Sequence, residues 1–177
     1  MSEKIQEEKI DGADAAKWDA VEEATELLHE ERFYDALLFL REVIKNDAKN
    51  PYAFYFLGVA LYESGELDAA RDAYRAALGV APKHLGARVA LSHVMRELGD
   101  PRAAIREGME ALTLAPGDSD ALHAVGLAYM ARGEHAAARK YLEAFLESKP
   151  EFEVATDVRA LLVEMQAQNG GGSTRNN

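Results

Sequence analysis

Five histidines and a group of clustered glutamates are the side chains of this sequence with the most potential for chemistry. The histidines are His29, His84, His93, His123 and His135. A helical zinc site needs two histidines four residues apart, or the HExxH arrangement. No two of these histidines have either spacing, so we predict that the chain binds no metal.

The glutamates favour a solvated surface over catalysis. They are Glu22, Glu23, Glu26, Glu30 and Glu31. Their spacing spreads them over the solvent side of a helix, where no apolar pocket raises a carboxyl pKa as general acid–base catalysis requires. The sequence also has no cysteine, no GxSxG motif and no phosphate-binding loop. We therefore predict a protein that is not an enzyme and has no cofactor.

Composition limits the classes of partner. The 177 residues include 20 basic and 31 acidic side chains, which gives a net charge of −11. Such a chain repels nucleic acids and anionic membrane surfaces, so we expect neither as a partner. No segment reaches the ~20 apolar residues that span a bilayer, and residues 1–16 lack the apolar stretch of a signal peptide. We expect a cytoplasmic location.

A period of 34 residues organises the chain. Three sets of residues follow it, namely Gly65, Gly99 and Gly133, then Pro82, Pro116 and Pro150, and finally Ala36, Ala70, Ala104 and Ala138. Internal repetition at this length is typical of stacked helix pairs. The period divides the chain into four blocks, residues 17–50, 51–84, 85–118 and 119–152.

Each block is predicted to form two helices. In the second block Phe54, Leu57 and Leu61 make the apolar stripe of an amphipathic helix. Gly65 ends this helix, and a second helix stops before Pro82. Because no segment alternates as a strand does, we predict an all-α fold. Its nine helices are expected to be separated by turns near residues 31, 49, 65, 82, 99, 116, 133 and 150.

This pattern resembles the tetratricopeptide repeat. The residues that carry the resemblance are Phe54, Leu57, Gly58, Leu61, Ala70, Tyr74 and Pro82 of the second block. The fourth block matches nearly as well, with Phe145 where a small residue is usual. The third block departs from the pattern at three positions. Arg88 occupies the position of the large aromatic residue, Ser92 the position of the glycine, and Gly108 a position where a second aromatic residue is expected. The first block is degenerate.

The resemblance implies a fold class and a division of the chain. The fold is an α-solenoid of four tandem 34-residue helix-turn-helix repeats with a C-terminal capping helix. In chain order we expect an acidic, flexible segment at 1–16, the four repeats at 17–152, the capping helix at 153–168 and a flexible tail at 169–177.

The resemblance also implies a binding surface, because the first helix of every repeat lines a concave groove in this family. Carried over to this sequence, the peptide-binding groove consists of Tyr52, Tyr55, Val59, Tyr62, Val89, His93, Arg96, His123, Leu127 and Met130. The degenerate first block would add Trp18, Val21, Thr25, Leu28 and His29. His93 and His123, on neighbouring first helices, are placed to approach each other. A competing interpretation is that this apolar stripe is core, with Tyr62 packed between repeats.

Two functions fit these features. The first is a non-catalytic adaptor or scaffold that binds a partner peptide or helix in the groove. The alternative is a chaperone that holds a hydrophobic secretion substrate, which the apolar groove and the negative charge would suit. Both assign the chain a protein or peptide partner.

Overall fold

The computed structural model describes residues 12–170 of the chain, and its regular structure over this range is helical without a strand. The helices, in chain order, are α1 (Gly12–Asp19), α2 (Glu22–His29), α3 (Phe33–Asn46), α4 (Pro51–Glu63), α5 (Leu67–Val80), α6 (Leu85–Glu97), α7 (Pro101–Leu114), α8 (Ser119–Ala131), α9 (His135–Glu147) and α10 (Phe152–Gly170). Every predicted turn position falls between two of these helices. The predicted fold class, an all-α array of helical repeats, is confirmed.

The first predicted helix is divided into α1 and α2, so the described range holds ten helices where nine were expected. The break lies at Ala20 and Val21, where Val21 has φ −114° and ψ 0°. The Val21 amide bonds the carbonyl of Trp18, three residues back, at 2.9 Å. This shorter bond tightens the chain and redirects it.

Helix α1 includes residues 12–16 of the segment that was expected to be flexible, and α10 includes residues 169 and 170 of the predicted tail. The remaining parts of those two segments, 1–11 and 171–177, lie outside the described residues. No helix between residues 12 and 170 is both long enough and apolar enough to cross a lipid bilayer.

The chain forms two compact units that meet in sequence between Pro82 and Lys83. In the first unit α4 packs against α3 and α5, and α1 and α2 also contact α4. In the second unit α6 pairs with α7 and α8 pairs with α9. Helix α8 also packs against α6 and α7, and α10 packs against α9.

Close approach of paired helices explains the small residues of the first helices. A Cβ atom at Gly58 would lie 2.5 Å from Cε1 of Tyr74, a ring that is only 2% exposed. A Cβ atom at Gly126 would lie 2.6 Å from Cδ2 of Leu142. The glycines therefore let a large side chain of the second helix lie directly on the backbone of the first.

Gly58→Ala should lower the free energy of unfolding by ~1–3 kcal/mol, because the new methyl group would overlap the buried Tyr74 ring and force it to shift. Chemical denaturation followed by circular dichroism measures the change. Gly79→Ala in α5 is the matched control, since no described atom outside its own helix and its chain neighbours lies within 4 Å of the new Cβ. That control should be neutral or stabilising by up to ~1 kcal/mol. Equal losses in the two variants would contradict the assigned contact.

Candidate functional site

The predicted groove residues of the first unit share one side of α4. Tyr52, Tyr55, Val59 and Tyr62 follow helical spacing and are all partly exposed. The Tyr55 ring lies 6.0 Å, centroid to centroid, from Tyr74 of α5. Tyr55 therefore contributes to packing between α4 and α5 while keeping part of its surface in solvent.

Helix α1 lies against the N-terminal end of this surface. The Tyr52 hydroxyl donates a 2.9 Å hydrogen bond to Oδ2 of Asp14, and the Trp18 ring stands edge-on to the Tyr52 ring at 5.3 Å. Burial raises the pKa of Tyr52, and the bond to Asp14 adds to the shift. Trp18 also lies 5.8 Å from the Phe56 ring, yet it remains 48% exposed.

A buried asparagine anchors the same junction. Asn50 is fully buried and caps α4, since its Oδ1 accepts hydrogen bonds from the amides of Tyr52 and Ala53 at 3.0 and 3.2 Å. Its Nδ2 donates to the carbonyl of Lys17 at 2.8 Å. One side chain thus orders the start of α4 and holds the end of α1 next to it.

In the second unit the packing of α6 on α8 brings two predicted groove residues together. The rings of His93 and His123 lie 6.0 Å apart, and His123 stacks on Phe145 of α9 at 4.7 Å. Burial lowers the pKa of His93 to about 4 and also lowers the pKa of His123. At neutral pH this cluster is therefore uncharged.

Val89, a predicted groove residue, lies in the core. It is only 8% exposed and packs in a cluster with Ala111, Ala121 and Ala124. Helix α7 and helix α8 both press against this position, so its side chain is withdrawn from the surface. Sequence periodicity places Val89 on the same helix face as His93 but does not show how deeply each one is covered.

The remaining predicted residues of the second unit are partly covered. Leu127 and Met130 pack against the cluster that α9 and α10 form around Leu142. Arg96 is partly exposed, and its guanidinium makes a 3.1 Å ion pair with Glu97 on the same helix. This surface therefore presents imidazoles, two apolar side chains and one cation.

A depression of about 570 Å³ opens beside His123. Its lining comes from the start of α8, the end of α9 and the start of α10, with the residues Ser119, Asp120, His123, Phe145, Ser148, Lys149, Pro150, Glu151 and Val154. Of these, only His123 was predicted from the sequence as a site residue. Phe145 could have been suspected, because it stands where a small residue is usual.

The acidic side chains of α2 form an open polar surface. Glu22, Glu23, Glu26 and Glu30 line a shallow depression of about 380 Å³ together with Leu27 and Arg32. Within residues 12–170 no three histidine, aspartate or glutamate side chains are grouped so that they could hold a metal ion.

Comparison with known proteins places these features in a family. A family model described as Tetratricopeptide repeat matches residues 21–84 and 89–151. The crystal structure of MamA is similar, with 26% identity, a TM-score of 0.68, and coverage of 75% of this chain and 78% of that one. A comparison with curated proteins gives no match.

Two further solved structures share the fold at lower identity. PilF of Pseudomonas aeruginosa has 20% identity and a TM-score of 0.78, with coverage of 91% of this chain and 72% of that one. A thermophilic repeat protein of Thermus thermophilus has 21% identity and a TM-score of 0.69, with coverage of 87% of this chain and 83% of that one.

Proposed function

The chain belongs to the tetratricopeptide repeat family, and we propose that it is a non-catalytic adaptor that binds a partner peptide or helix along the first helices of its repeats. One observation carries the proposal. The first helices keep aromatic and apolar side chains partly exposed after their own pairing contacts have been made. Each unit offers such a surface, α4 in the first and α6 with α8 in the second.

The chemistry of these surfaces suits a peptide. Tyrosine offers a large contact area with few rotatable bonds to immobilise, and its hydroxyl can bond a peptide backbone. On α8, Leu127 and Met130 supply adaptable apolar contacts. The depression beside His123 has the volume to take a side chain of the partner.

Tyr62→Ala should weaken partner binding by more than tenfold, since a central aromatic anchor contributes ~2 kcal/mol or more and ~1.4 kcal/mol is one decade. The partner is first isolated by affinity capture with the native chain, and its dissociation constant is then measured by calorimetry. Tyr34→Ala is the matched control, because Tyr34 lies on α3 and is 70% exposed. It should leave the constant within about twofold.

The thermal midpoint of each variant separates binding from folding. If Tyr62→Ala lowers stability and affinity together, Tyr62 is core and the proposed surface is wrong. If binding survives Tyr62→Ala combined with Leu127→Ala and Met130→Ala, the partner lies on another face. If the captured partner is an unfolded, hydrophobic export substrate, the chaperone alternative is favoured over the adaptor.

A further inference from the structure

Helix α1 is attached to α4 by a small set of side-chain contacts. Asp14 accepts the hydroxyl hydrogen bond of Tyr52, Trp18 packs edge-on against Tyr52 and Phe56, and Asn50 bonds the carbonyl of Lys17. Most of the stability of a helix in a protein comes from tertiary packing rather than from its intrinsic propensity. The helical form of α1 therefore depends on its contacts with α4.

The contacts on α1 form a recognition pattern. Asp14 and Trp18 are four residues apart, so they share one face of the helix. The carboxylate meets the hydroxyl of Tyr52 while the indole meets the rings of Tyr52 and Phe56. The surface of α4 thus contacts an acidic side chain and, one helical turn later, an aromatic side chain.

Two features of α1 indicate that it can leave this surface. Trp18 remains 48% exposed, so its contacts bury only part of its apolar area. The chain also breaks at Ala20 and Val21, so α1 is not continuous with α2. Segments with few buried contacts open at a small fraction of the global unfolding free energy.

We propose that the Tyr52 and Phe56 surface of α4 binds an amphipathic helix of a partner protein that carries an acidic residue and an aromatic residue four positions later. Helix α1 is the chain's own occupant of this surface, and the partner helix replaces it. The inference rests on the proposed use of the first helices for binding, and it adds the class of ligand. Because α1 must leave first, the apparent affinity for the partner helix depends on the fraction of molecules in which α1 is displaced from α4.

A peptide with the sequence of residues 12–20, blocked at both ends and labelled with fluorescein, is the probe. The receiving protein is the full chain with Asp14→Ala and Trp18→Ala, which removes both recognition side chains of α1. Because a tethered segment has an effective concentration of the order of millimolar, a helix that stays bound in the folded chain must bind in trans with a dissociation constant below ~1 mM. Fluorescence anisotropy should therefore saturate in this range.

Three matched comparisons define the expected result. The unaltered chain should bind the peptide about tenfold more weakly, because its own α1 competes. Adding Tyr52→Phe to the double variant should weaken binding severalfold, since the hydroxyl bond to the carboxylate is lost. Tyr34→Phe on α3 should change nothing, and a peptide lacking the tryptophan should not bind.

Absence of saturation at several millimolar, or equal affinity for the unaltered and double-variant chains, would overturn the inference. The inference would also be overturned if the peptide bound equally well without its acidic residue and to the Tyr52→Phe variant, because the surface would then bind any apolar segment. If the double variant fails to fold, Trp18 fluorescence in the unaltered chain provides a second test. Trp18 is the only tryptophan, and its solvent exposure should rise at lower denaturant concentration than the loss of helical circular dichroism.

The peptide experiment and the partner-binding experiment can fail independently of each other. If the peptide binds as expected but partner affinity is unchanged by Tyr62→Ala, the proposed function fails and the α4 recognition pattern stands. If partner affinity falls in Tyr62→Ala but the peptide does not bind, the recognition pattern alone is wrong.

Discussion

Replacing Leu142 by alanine is expected to lower the free energy of unfolding by ~2–5 kcal/mol, the range for deleting a buried leucine side chain. Leu142 is fully buried in α9 and belongs to the cluster that joins α9 to α10 through Val158, Leu162 and Met165. It also lies on the backbone of α8 at Gly126, where the absent side chain makes room for it. One substitution therefore loosens contacts with both neighbouring helices.

Urea denaturation followed by circular dichroism measures the loss, and hydrogen exchange should show reduced protection in α10. Leu114→Ala is the matched control, because Leu114 lies on α7 of the same unit and is 37% exposed. Its effect should stay below ~1 kcal/mol. If the two variants lose the same stability, Leu142 is not the centre of this core.

The turns of the array were predictable because they depend on local backbone chemistry. Gly65, Gly99 and Gly133 all have positive φ near 80° and end the first helices of their blocks. The Glu66 amide then bonds the carbonyl of Leu61 at 2.9 Å, which closes the helix end. In the degenerate first block Glu31 takes the same conformation at φ 57°, so the turn persists without the glycine that would have marked it.

The third block shows what the period alone does not reveal. Arg88, at the large aromatic position, makes a 3.1 Å ion pair with Glu107 of α7, and both side chains are largely covered. Gly108, at another aromatic position, leaves room for Val125 of α8. The Ser92 hydroxyl bonds the carbonyl of Ala104 at 2.7 Å. Each of the three residues makes its contact with a neighbouring helix, and such contacts cannot be identified from the spacing of single residues.

The same limit applies to the candidate surfaces. Tyr52, Tyr55 and Tyr62 lie on one side of α4 and are partly exposed, because helical period determines which residues share a face. The helical period did not indicate that Val89 would be buried, because burial depends on how closely α7 and α8 approach that position. The contact of Asp14 with Tyr52 joins residues that are 38 apart in the sequence, and no residue pattern marked it.

Acidification should destabilise the second unit between pH 6.5 and pH 4 through His93. The ordinary histidine pKa is 6.5, and burial lowers it to about 4 in the folded chain. Between these values the unfolded chain takes up a proton that the folded chain excludes, so stability is fully present above pH 6.5 and falls as the pH decreases. The loss reaches at most ~3–4 kcal/mol, because the pKa falls from 6.5 to about 4 and one pKa unit corresponds to ~1.4 kcal/mol.

Burial is the largest cause of the lowered pKa of His93, and the groups around the imidazole modify the shift. His123 of α8 and Arg96 of α6 oppose a charge on His93, while Glu97 of α6 favours it. The neighbouring His123 is lowered in pKa by burial as well, with Asp120 acting in the opposite direction. A proton on His93 would therefore be placed in the packed interface between α6 and α8 beside a second imidazole.

The free energy of unfolding, obtained from denaturation midpoints and slopes between pH 7 and pH 4, tests this dependence in the unaltered chain and in two histidine variants. His93→Gln should flatten the profile relative to the unaltered chain by up to about 1.4 kcal/mol per pH unit, the slope for one proton. His29→Gln is the control, because His29 is exposed on α2 of the other unit, and its profile should follow that of the unaltered chain. Three parallel profiles would show that His93 is protonated as readily in the folded chain as in the unfolded one, and that the interface between α6 and α8 admits water.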